Sequence, residues 1–301
     1  MGMHRMRARS TTLTRGAAGG WAGTLGIVVA AACLVGCGAP AVTTAGEPAA
    51  SPYAGPLQLP QNFRDRASVA ERGGAATRAL ECTTVAYAGG GGAYDGGLET
   101  VQDSPTKALE NWLEEEFVVT VPDHGYRVER EDEGRVLLSY DVEGRTKAAV
   151  VVAEGVRDWR DRTGWGVESW AGCDPVELPE EILDALEVEV WEDKGGQPVP
   201  VAKVRSYEDW CDLPGVTEVQ VGPEWRRQLW RRDPDGQASA KGARGYTSDA
   251  ALPADAQGTG WHQDGRELWL VPDRSAAYLV STADPDDVER WPAGNGSSCA
   301  G

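Results

Sequence analysis

Apolar and polar positions alternate along the middle of the chain in a pattern that predicts β-strands. Four strands are expected at 126–131, 135–142, 146–154 and 165–173. The second carries apolar residues at every other position from Val136 to Val142, whereas Ala148 to Ala153 is apolar throughout, as in a central strand. The turns at 132–134 and 143–144 are short enough for antiparallel hairpins. The pattern therefore predicts an antiparallel meander.

Just before these strands, the apolar residues recur at the spacing of a helix. Ser104 is a plausible N-cap, Pro105 suits the first helical position, and apolar residues recur at helical spacing from Ala108 to Leu113. A helix over 105–116 is expected to pack on the meander.

Short strands continue beyond a predicted helix at 179–186. They are expected at 187–192, 199–204, 217–221, 225–232, 267–271, 276–280 and 288–291. The expected fold class is therefore α+β: an N-terminal helix packed on an antiparallel meander, followed by a mainly β second domain. The two domains are predicted at 76–176 and 177–301.

The first residues have the composition of an export signal. A positively charged start precedes an apolar stretch, Leu25 to Val35, that is too short to span a bilayer. The string Leu34-Val35-Gly36-Cys37 resembles the lipobox of bacterial lipoproteins. That resemblance implies cleavage of the signal peptide 1–36, a diacylglyceryl thioether on Cys37, and further acylation of its amino group, for example by palmitate. A plain secretory signal and an uncleaved anchor are the alternatives.

Residues 37–75 are rich in Ala, Pro, Gly, Ser and Thr, which is typical of a flexible tether. Packing of part of this segment near Leu57, Leu59 and Phe63 is the alternative.

Charge and composition narrow the class of partner. The chain has 301 residues and a formal net charge of −18. Removal of 1–36 takes away four Arg and no acidic residue, which leaves a mature chain with 25 basic and 47 acidic residues and a net charge of −22. Nucleic acid is therefore not an expected partner, because it selects clustered basic residues.

Cysteine usage agrees with export. Four cysteines remain for an oxidising exterior: Cys82, Cys173, Cys211 and Cys299. Sequential pairing would place one disulfide in each predicted domain, and the crossed and nested pairings stay open. Neither a CxxC string nor a Cys/His cluster is present, so no metal site and no cofactor are expected.

The sequence contains no familiar catalytic motif, and no catalytic residue is assigned. His124 and His262 lie in predicted turns, where a solvated side chain is expected. Clustered carboxylates favour a solvated acidic face, with a glycosidase-type pair as the functional alternative.

Two features depart from this acidic background. The first is a candidate binding surface, the basic group Arg226, Arg227, Trp230, Arg231 and Arg232, with an arginine-guarded edge strand as its structural alternative. The second is a set of indoles, Trp159, Trp165 and Trp170. Trp165 and Trp170 are expected on opposite faces of a strand, which would expose one of these two to a sugar or a partner, but core packing is the favoured alternative.

Several strings resemble a group of uncharacterised secreted proteins and lipoproteins of actinobacteria. They include GWGVESWAGCDP at 164–175, RRDPDG at 231–236, LPADAQGTG at 252–260, RELWLVPD at 266–273 and VERWP at 288–292. The resemblance implies export, a two-part body and the cysteine pairing, but no activity. The chain departs from it at Trp210-Cys211-Asp212, where His beside the Cys is the expected pattern.

These observations predict a lipoprotein anchored through Cys37 on the extracytoplasmic face of the cell membrane. Its expected role is a non-catalytic binding or interaction module of the envelope, with an envelope protein or polymer as partner. The alternatives are an envelope hydrolase that uses a carboxylate pair and a solute-binding component.

Overall fold

The structure is a computed structural model. It describes residues 49–64, 67–91, 101–115, 121–186, 188–208, 213, 215–223, 226–237 and 245–294. Every strand pairing among them is antiparallel. The mainly β, antiparallel character predicted from the alternation is confirmed.

The first part of the chain forms a five-stranded sheet in the order β1-β5-β4-β3-β2. Its strands are β1 (Ala86–Gly90), β2 (Arg127–Asp132), β3 (Arg135–Val142), β4 (Arg145–Arg157) and β5 (Thr163–Cys173). Strand β4 lies in the centre, as its apolar run predicts, and it is buried from Thr146 to Ala153 because both faces of the sheet are covered.

Helices cover the two faces of this sheet. Helix α2 (Pro105–Glu115) packs against β4 and β5 close to its predicted bounds. Leu109 and Trp112 of α2 share a core with Val150 of β4. Ile182 of α3 (Glu180–Ala185) is buried in the same core. On the opposite face, α1 (Val69–Ala79) packs against β1, β4 and β5.

Helix α1 and the residues before it correct the expectation of a tether over 37–75. Leu57 is buried in the core on the α1 face, and Leu59 packs against that core, whereas Phe63 is exposed. Ser68 and Glu71 form a capping box at the start of α1. Gly73-Gly74 interrupts the helical pattern, but at Gly73 a side chain would collide with Ala88 of β1, so the glycine permits close helix–sheet packing.

The tryptophans of β5 lie on one face, which corrects the prediction that they face opposite ways. A register shift pairs Val151 with Ser169 but Val152 with Val167, so Glu168 is the extra residue of a β-bulge. Trp165 and Trp170 therefore both pack against the core on the α2 face, and the ring centroid of Trp170 lies 6.4 Å from that of Trp112.

The remaining strands form two further sheets. Their bounds are β6 (Trp191–Glu192), β7 (Pro198–Val199), β8 (Val204–Glu208), β9 (Thr217–Val221), β10 (Gln228–Arg232), β11 (Gln257–Gln263), β12 (Arg266–Leu270), β13 (Ala276–Ser281) and β14 (Val288–Pro292). The orders are β14-β13-β12-β11-β6-β7 and β10-β9-β8. Single bridges, Glu189 to Ser206 and Trp230 to Ala293, join the two sheets at both sides in a barrel-like arrangement.

The interior of this arrangement is built around Trp191 and Trp230, whose side chains are fully buried. The Trp191 indole N–H donates to Ser206 Oγ at 2.9 Å, and that of Trp230 donates to the Arg274 carbonyl at 3.3 Å. Most strands lie close to their predicted positions. The strand predicted at 199–204 is wrong, because 201–203 form a turn between β7 and β8. Strand β6 is shorter than expected, and β11, which is rich in glycine and polar residues, was not predicted.

Candidate binding site at one end of the five-stranded sheet

The two ends of the five-stranded sheet differ in chemistry. The end formed by 133–135 and 153–164 contains a groove, and we call it the groove end. The opposite end, formed by 81–86, 141–147 and 172–177, contains the Cys82–Cys173 disulfide, and we call it the disulfide end.

The groove is open and shallow, with a volume of about 380 Å³. Its lining residues come from the β2–β3 turn, from β4 and from the start of β5: Glu133, Gly134, Arg135, Glu154, Gly155, Thr163 and Gly164. No single stretch of sequence contains this set, so the antiparallel register is what assembles it.

Glycines shape the groove. Gly155 lies within the register shift of β4 between Ala153 and Val156. Its φ of +77° disfavours other residues, although a Cβ there would contact no atom within 4 Å. At Gly164 a Cβ would lie 2.6 Å from the Gln102 carbonyl oxygen, so a side chain would displace the neighbouring chain. The β-bulge next to the groove is a feature that often adjoins functional sites.

The polar groups of the groove carry both signs of charge. Arg135 donates from Nε to Glu168 Oε2 at 2.7 Å and from Nη2 to Oε1 at 3.1 Å. These hydrogen bonds are the main reason why the pKa of the Arg135 guanidinium is raised. Glu133, Glu154 and Thr163 are exposed beside it. The groove therefore offers carboxylate acceptors, a fixed guanidinium and a hydroxyl.

Trp159 lies at the tip of the β4–β5 hairpin, a few residues from the groove lining. It is 59% exposed, the largest exposed fraction among the large hydrophobic residues that the structure describes. The Arg160 guanidinium lies 4.5 Å from the centre of its ring, within cation–π range. An exposed indole beside a groove is a common anchor for a ligand or partner.

Asp158 holds this hairpin in one conformation. Its buried carboxylate accepts from the amides of Arg160 and Arg162, both at 2.9 Å, and from Arg162 Nε at 2.7 Å. Desolvation opposes ionisation of Asp158, but the hydrogen bonds from Arg162 and Arg160 outweigh it and lower the pKa of the carboxyl. Asp161 adopts a φ of +60° and completes the turn. Trp159 is thus presented by a rigid support.

The basic group predicted as a binding surface is not a continuous surface. Trp230 and Arg231 are fully buried, which corrects that prediction for these two residues. Strand alternation explains their burial, because Trp230 faces the barrel interior while Arg231 faces Glu218 of β9. The pair Arg231–Glu218 is hydrogen-bonded and inaccessible to solvent.

The remaining members of that group have separate environments. Arg232 lies 3.6 Å from Glu289 and over the ring of Tyr246, and the Arg227 guanidinium lies 3.5 Å from Gln220 Oε1. Arg226 is exposed. Strand β10 is last in the order of its three-stranded sheet, but its bridge from Trp230 to Ala293 joins it to the neighbouring sheet, so it is not an open edge either.

A polar network adjoins the buried pair. Tyr207 donates to Glu218, and Gln220 donates to the Tyr207 hydroxyl. Burial, and then the hydrogen bond to Glu218, raise the pKa of Tyr207. With its charges internally compensated, this network has the character of a structural support rather than a ligand site.

The disulfide end is closed by the predicted Cys82–Cys173 bond, which is confirmed. Beside it, Glu177 accepts from the amides of Thr83 and Thr84, and from Lys147 Nζ at 2.7 Å. Desolvation acts to raise the pKa of Glu177, but the hydrogen bonds from Lys147, Thr84 and Thr83 outweigh it and lower the pKa to about 2.

Asp174 connects this end to the second part of the chain. Its fully buried carboxylate accepts from the amides of Val201 and Ala202 at 2.9 and 3.0 Å, and from the Tyr87 hydroxyl at 3.3 Å. Burial first, and the Asp174 charge second, raise the pKa of Tyr87.

The structure also bears on the remaining cysteines, on the two histidines and on potential metal ligands. Cys37, Cys211 and Cys299 lie outside the described residues. His124 is exposed beside Asp123, and His262 lies within β11, rather than in a turn, with Nε2 3.9 Å from Glu267. One group of potential metal ligands occurs among the described residues, Cys82, Cys173 and Glu177, and the two sulfurs are bonded to each other.

The expected exposure of Trp165 or Trp170 is wrong: the exposed indole is Trp159, and the groove was not predicted. The local signal for the hairpin was Asp158 followed by Arg162 around a turn. The signal for the groove was glycine in the β2–β3 turn, at the register shift of β4 and at the start of β5. No helix in the described part of the chain is long and apolar enough to cross a membrane. Comparison of the chain with protein-family models, with curated proteins and with solved structures finds no match.

Proposed function

We propose that this protein is an extracytoplasmic lipoprotein, anchored through Cys37, whose body is a non-catalytic binding module of the cell envelope. The groove and the Trp159 hairpin together form its binding site. The observation that carries the proposal is the exposed Trp159, on a hairpin turn held by hydrogen bonds to Asp158. It lies four residues along the chain from Gly155 and from Thr163, which line a polar groove of about 380 Å³. The division into an α+β domain and a mainly β domain is part of the same proposal.

The path of the chain supports binding at the groove end, because the chain from Cys37 reaches the body at the opposite end of the sheet. The Ala49 amide donates to Asp141 at 3.3 Å, and the Ala50 amide donates to the Gly144 carbonyl at 3.1 Å. The chain therefore joins the sheet at the disulfide end. Strand β4 has 13 residues and, at about 3.3 Å per residue, separates the two ends by about 40 Å.

This attachment shortens the expected tether. Only residues 37–48 remain between the lipidated cysteine and Ala49, and they span at most about 40 Å when fully extended. The lipid would hold the body by the disulfide end, and the groove end would be free to meet envelope material.

The carboxylates of the groove favour binding over hydrolysis. A glycosidase acid is usually kept protonated by burial, whereas Glu133 and Glu154 are both exposed. Exposed carboxylates are suited to accept hydrogen bonds from a ligand.

The anchor is tested by incorporation of a labelled fatty acid and by membrane fractionation. Wild type should carry the label and sediment with membranes, whereas Cys37→Ala should lose both properties. Cys33→Ala is the matched control and should retain them, because Cys33 leaves with the signal peptide. Label on the Cys37→Ala protein would contradict the lipobox assignment.

The binding site is tested by retention of the purified protein on washed envelope material. Trp159→Ala should reduce retention about tenfold, since interface tryptophans are frequent hot spots. Phe63→Ala removes another exposed aromatic side chain, outside the groove lining, and should have no effect. Equal retention of Trp159→Ala and wild type would refute this binding site.

A further inference from the structure

We infer that the ligand of the groove and the Trp159 hairpin is a carbohydrate chain that is neutral or carries little charge. This inference rests on the proposed binding function and specifies its ligand class. It follows from the chemistry of the lining, from the exposed indole and from the rigidity of the support.

The lining matches a ligand rich in hydroxyl groups. Glu133 and Glu154 can only accept hydrogen bonds when ionised, Arg135 can only donate, and the Thr163 hydroxyl can do both. Sugar hydroxyls also donate and accept, so one ligand can satisfy all of these groups. The pairing of Arg135 with Glu168 fixes the guanidinium at the groove without cancelling all its donor capacity, because it uses only Nε and Nη2.

The charge pattern disfavours a strongly anionic ligand. Two exposed carboxylates line the groove, and the one guanidinium in its lining, Arg135, is already paired with Glu168. On the hairpin, Arg157 is paired with Asp161 and Arg162 with Asp158. Arg160 lies over the Trp159 ring. A polyphosphate or a polyacid would meet repulsion from Glu133 and Glu154. A sugar without charge meets no such penalty.

The hairpin adds an apolar plane to this polar lining. Arg160 lies over the Trp159 ring, yet the side chain stays 59% exposed, so a large part of its apolar surface is free. The C–H groups on one side of a pyranose ring form a flat apolar patch that can cover such a surface. An indole therefore contributes apolar contact while the groove contributes hydrogen bonds.

Preorganisation makes an exposed, shallow site sufficient for specific binding. The three hydrogen bonds to Asp158 hold the backbone of the hairpin, so little backbone entropy is lost when a ligand contacts Trp159. The apolar side chain of a peptide would find no pocket here, because the lining is formed by polar residues and glycines.

Isothermal titration calorimetry of the detergent-solubilised lipoprotein tests the ligand class. The probes are soluble tetrasaccharides of glucose and of N-acetylglucosamine, with inorganic tripolyphosphate as the anionic comparison. We expect at least one tetrasaccharide to bind at micromolar to millimolar concentration, and tripolyphosphate not to bind at the groove. Hydrogen exchange should show protection of 154–164 by the sugar.

Three variants sharpen the result. Trp159→Ala should weaken the sugar complex about tenfold or more, and Thr163→Arg should block the groove without altering the core. Phe63→Ala should bind as wild type does. Tetrasaccharide binding that is unchanged in both Trp159→Ala and Thr163→Arg would overturn the inference.

Two outcomes separate this inference from the proposed function. If envelope retention depends on Trp159 but neither tetrasaccharide binds, or if tripolyphosphate or a captured protein occupies the groove instead, the ligand class is wrong and the binding function stands. If retention is the same for wild type and Trp159→Ala, both proposals fail.

Discussion

The two ends of the five-stranded sheet use the same residue types in opposite ways. At the disulfide end, the Glu177 carboxylate and Lys147 Nζ are nearly inaccessible to solvent and hydrogen-bonded to each other. At the groove end, Glu133 and Glu154 are exposed. Buried, satisfied charges stabilise one arrangement of the chain, whereas exposed ones remain free to bind. The comparison indicates that one end supports the fold and the other makes contacts.

Loss of the disulfide should have the largest effect on stability. A bond between Cys82 and Cys173 closes a loop of about 90 residues, for which chain entropy predicts roughly 4.5 kcal/mol. The Cys82→Ala/Cys173→Ala protein should therefore lose about 3–5 kcal/mol of unfolding free energy in urea titrations. A loss below about 1 kcal/mol would show that the hydrogen bonds of the disulfide end hold it without the covalent link.

Acid should weaken the disulfide end through Glu177. Its pKa is lowered from 4.5 to about 2, so its contribution is complete above pH 4.5 and disappears as the pH falls towards 2. Glu177→Gln should cost on the order of 1–3 kcal/mol at pH 7, and the difference from wild type should shrink to near zero at pH 2.

Glu154→Gln at the groove end is the matched control for this titration. Its unfolding free energy at pH 7 should stay within about 0.5 kcal/mol of wild type, because Glu154 is exposed. If Glu177→Gln followed wild type at every pH, the stabilising role of the Glu177 carboxylate would be refuted.

Substitution at the groove end should have the smallest effect on stability. Trp159→Ala should change the unfolding free energy by less than about 0.5 kcal/mol, as is usual for exposed positions. Trp230→Ala, at a fully buried indole, should cost about 3–5 kcal/mol in the same urea titration. A cost above 2 kcal/mol for Trp159→Ala would show that this indole supports the fold rather than a ligand.

Local pattern was enough to predict much of the first sheet. The meander β2 to β5 lies close to its expected bounds because alternation and short turns are local properties. Helix α1 was missed because its glycines and alanines are typical of a loop, and its packing against β1 depends on residues far along the chain.

The candidate site was predictable only in part. One of Trp165 and Trp170 was expected to be exposed, but the β-bulge at Glu168 places both against the same core, half-buried, and the exposed indole is Trp159. The sequence pattern cannot show a bulge, because it inserts one residue into a strand without altering composition. Likewise, the basic group around Trp230 does not form one surface. Strand alternation turns Trp230 to the interior, and Arg231 is buried against its partner Glu218.

The sequence by itself determined the antiparallel meander, the main helix on it, the pairing candidates among cysteines, and the expectation of a lipid anchor at Cys37. These features depend on neighbouring residues, spacing and composition. Only the tertiary structure decided which end of the sheet is held by buried hydrogen bonds and which carries a groove. That decision depends on strand register and burial, which join residues such as Glu133, Glu154 and Thr163 from separate turns and strands.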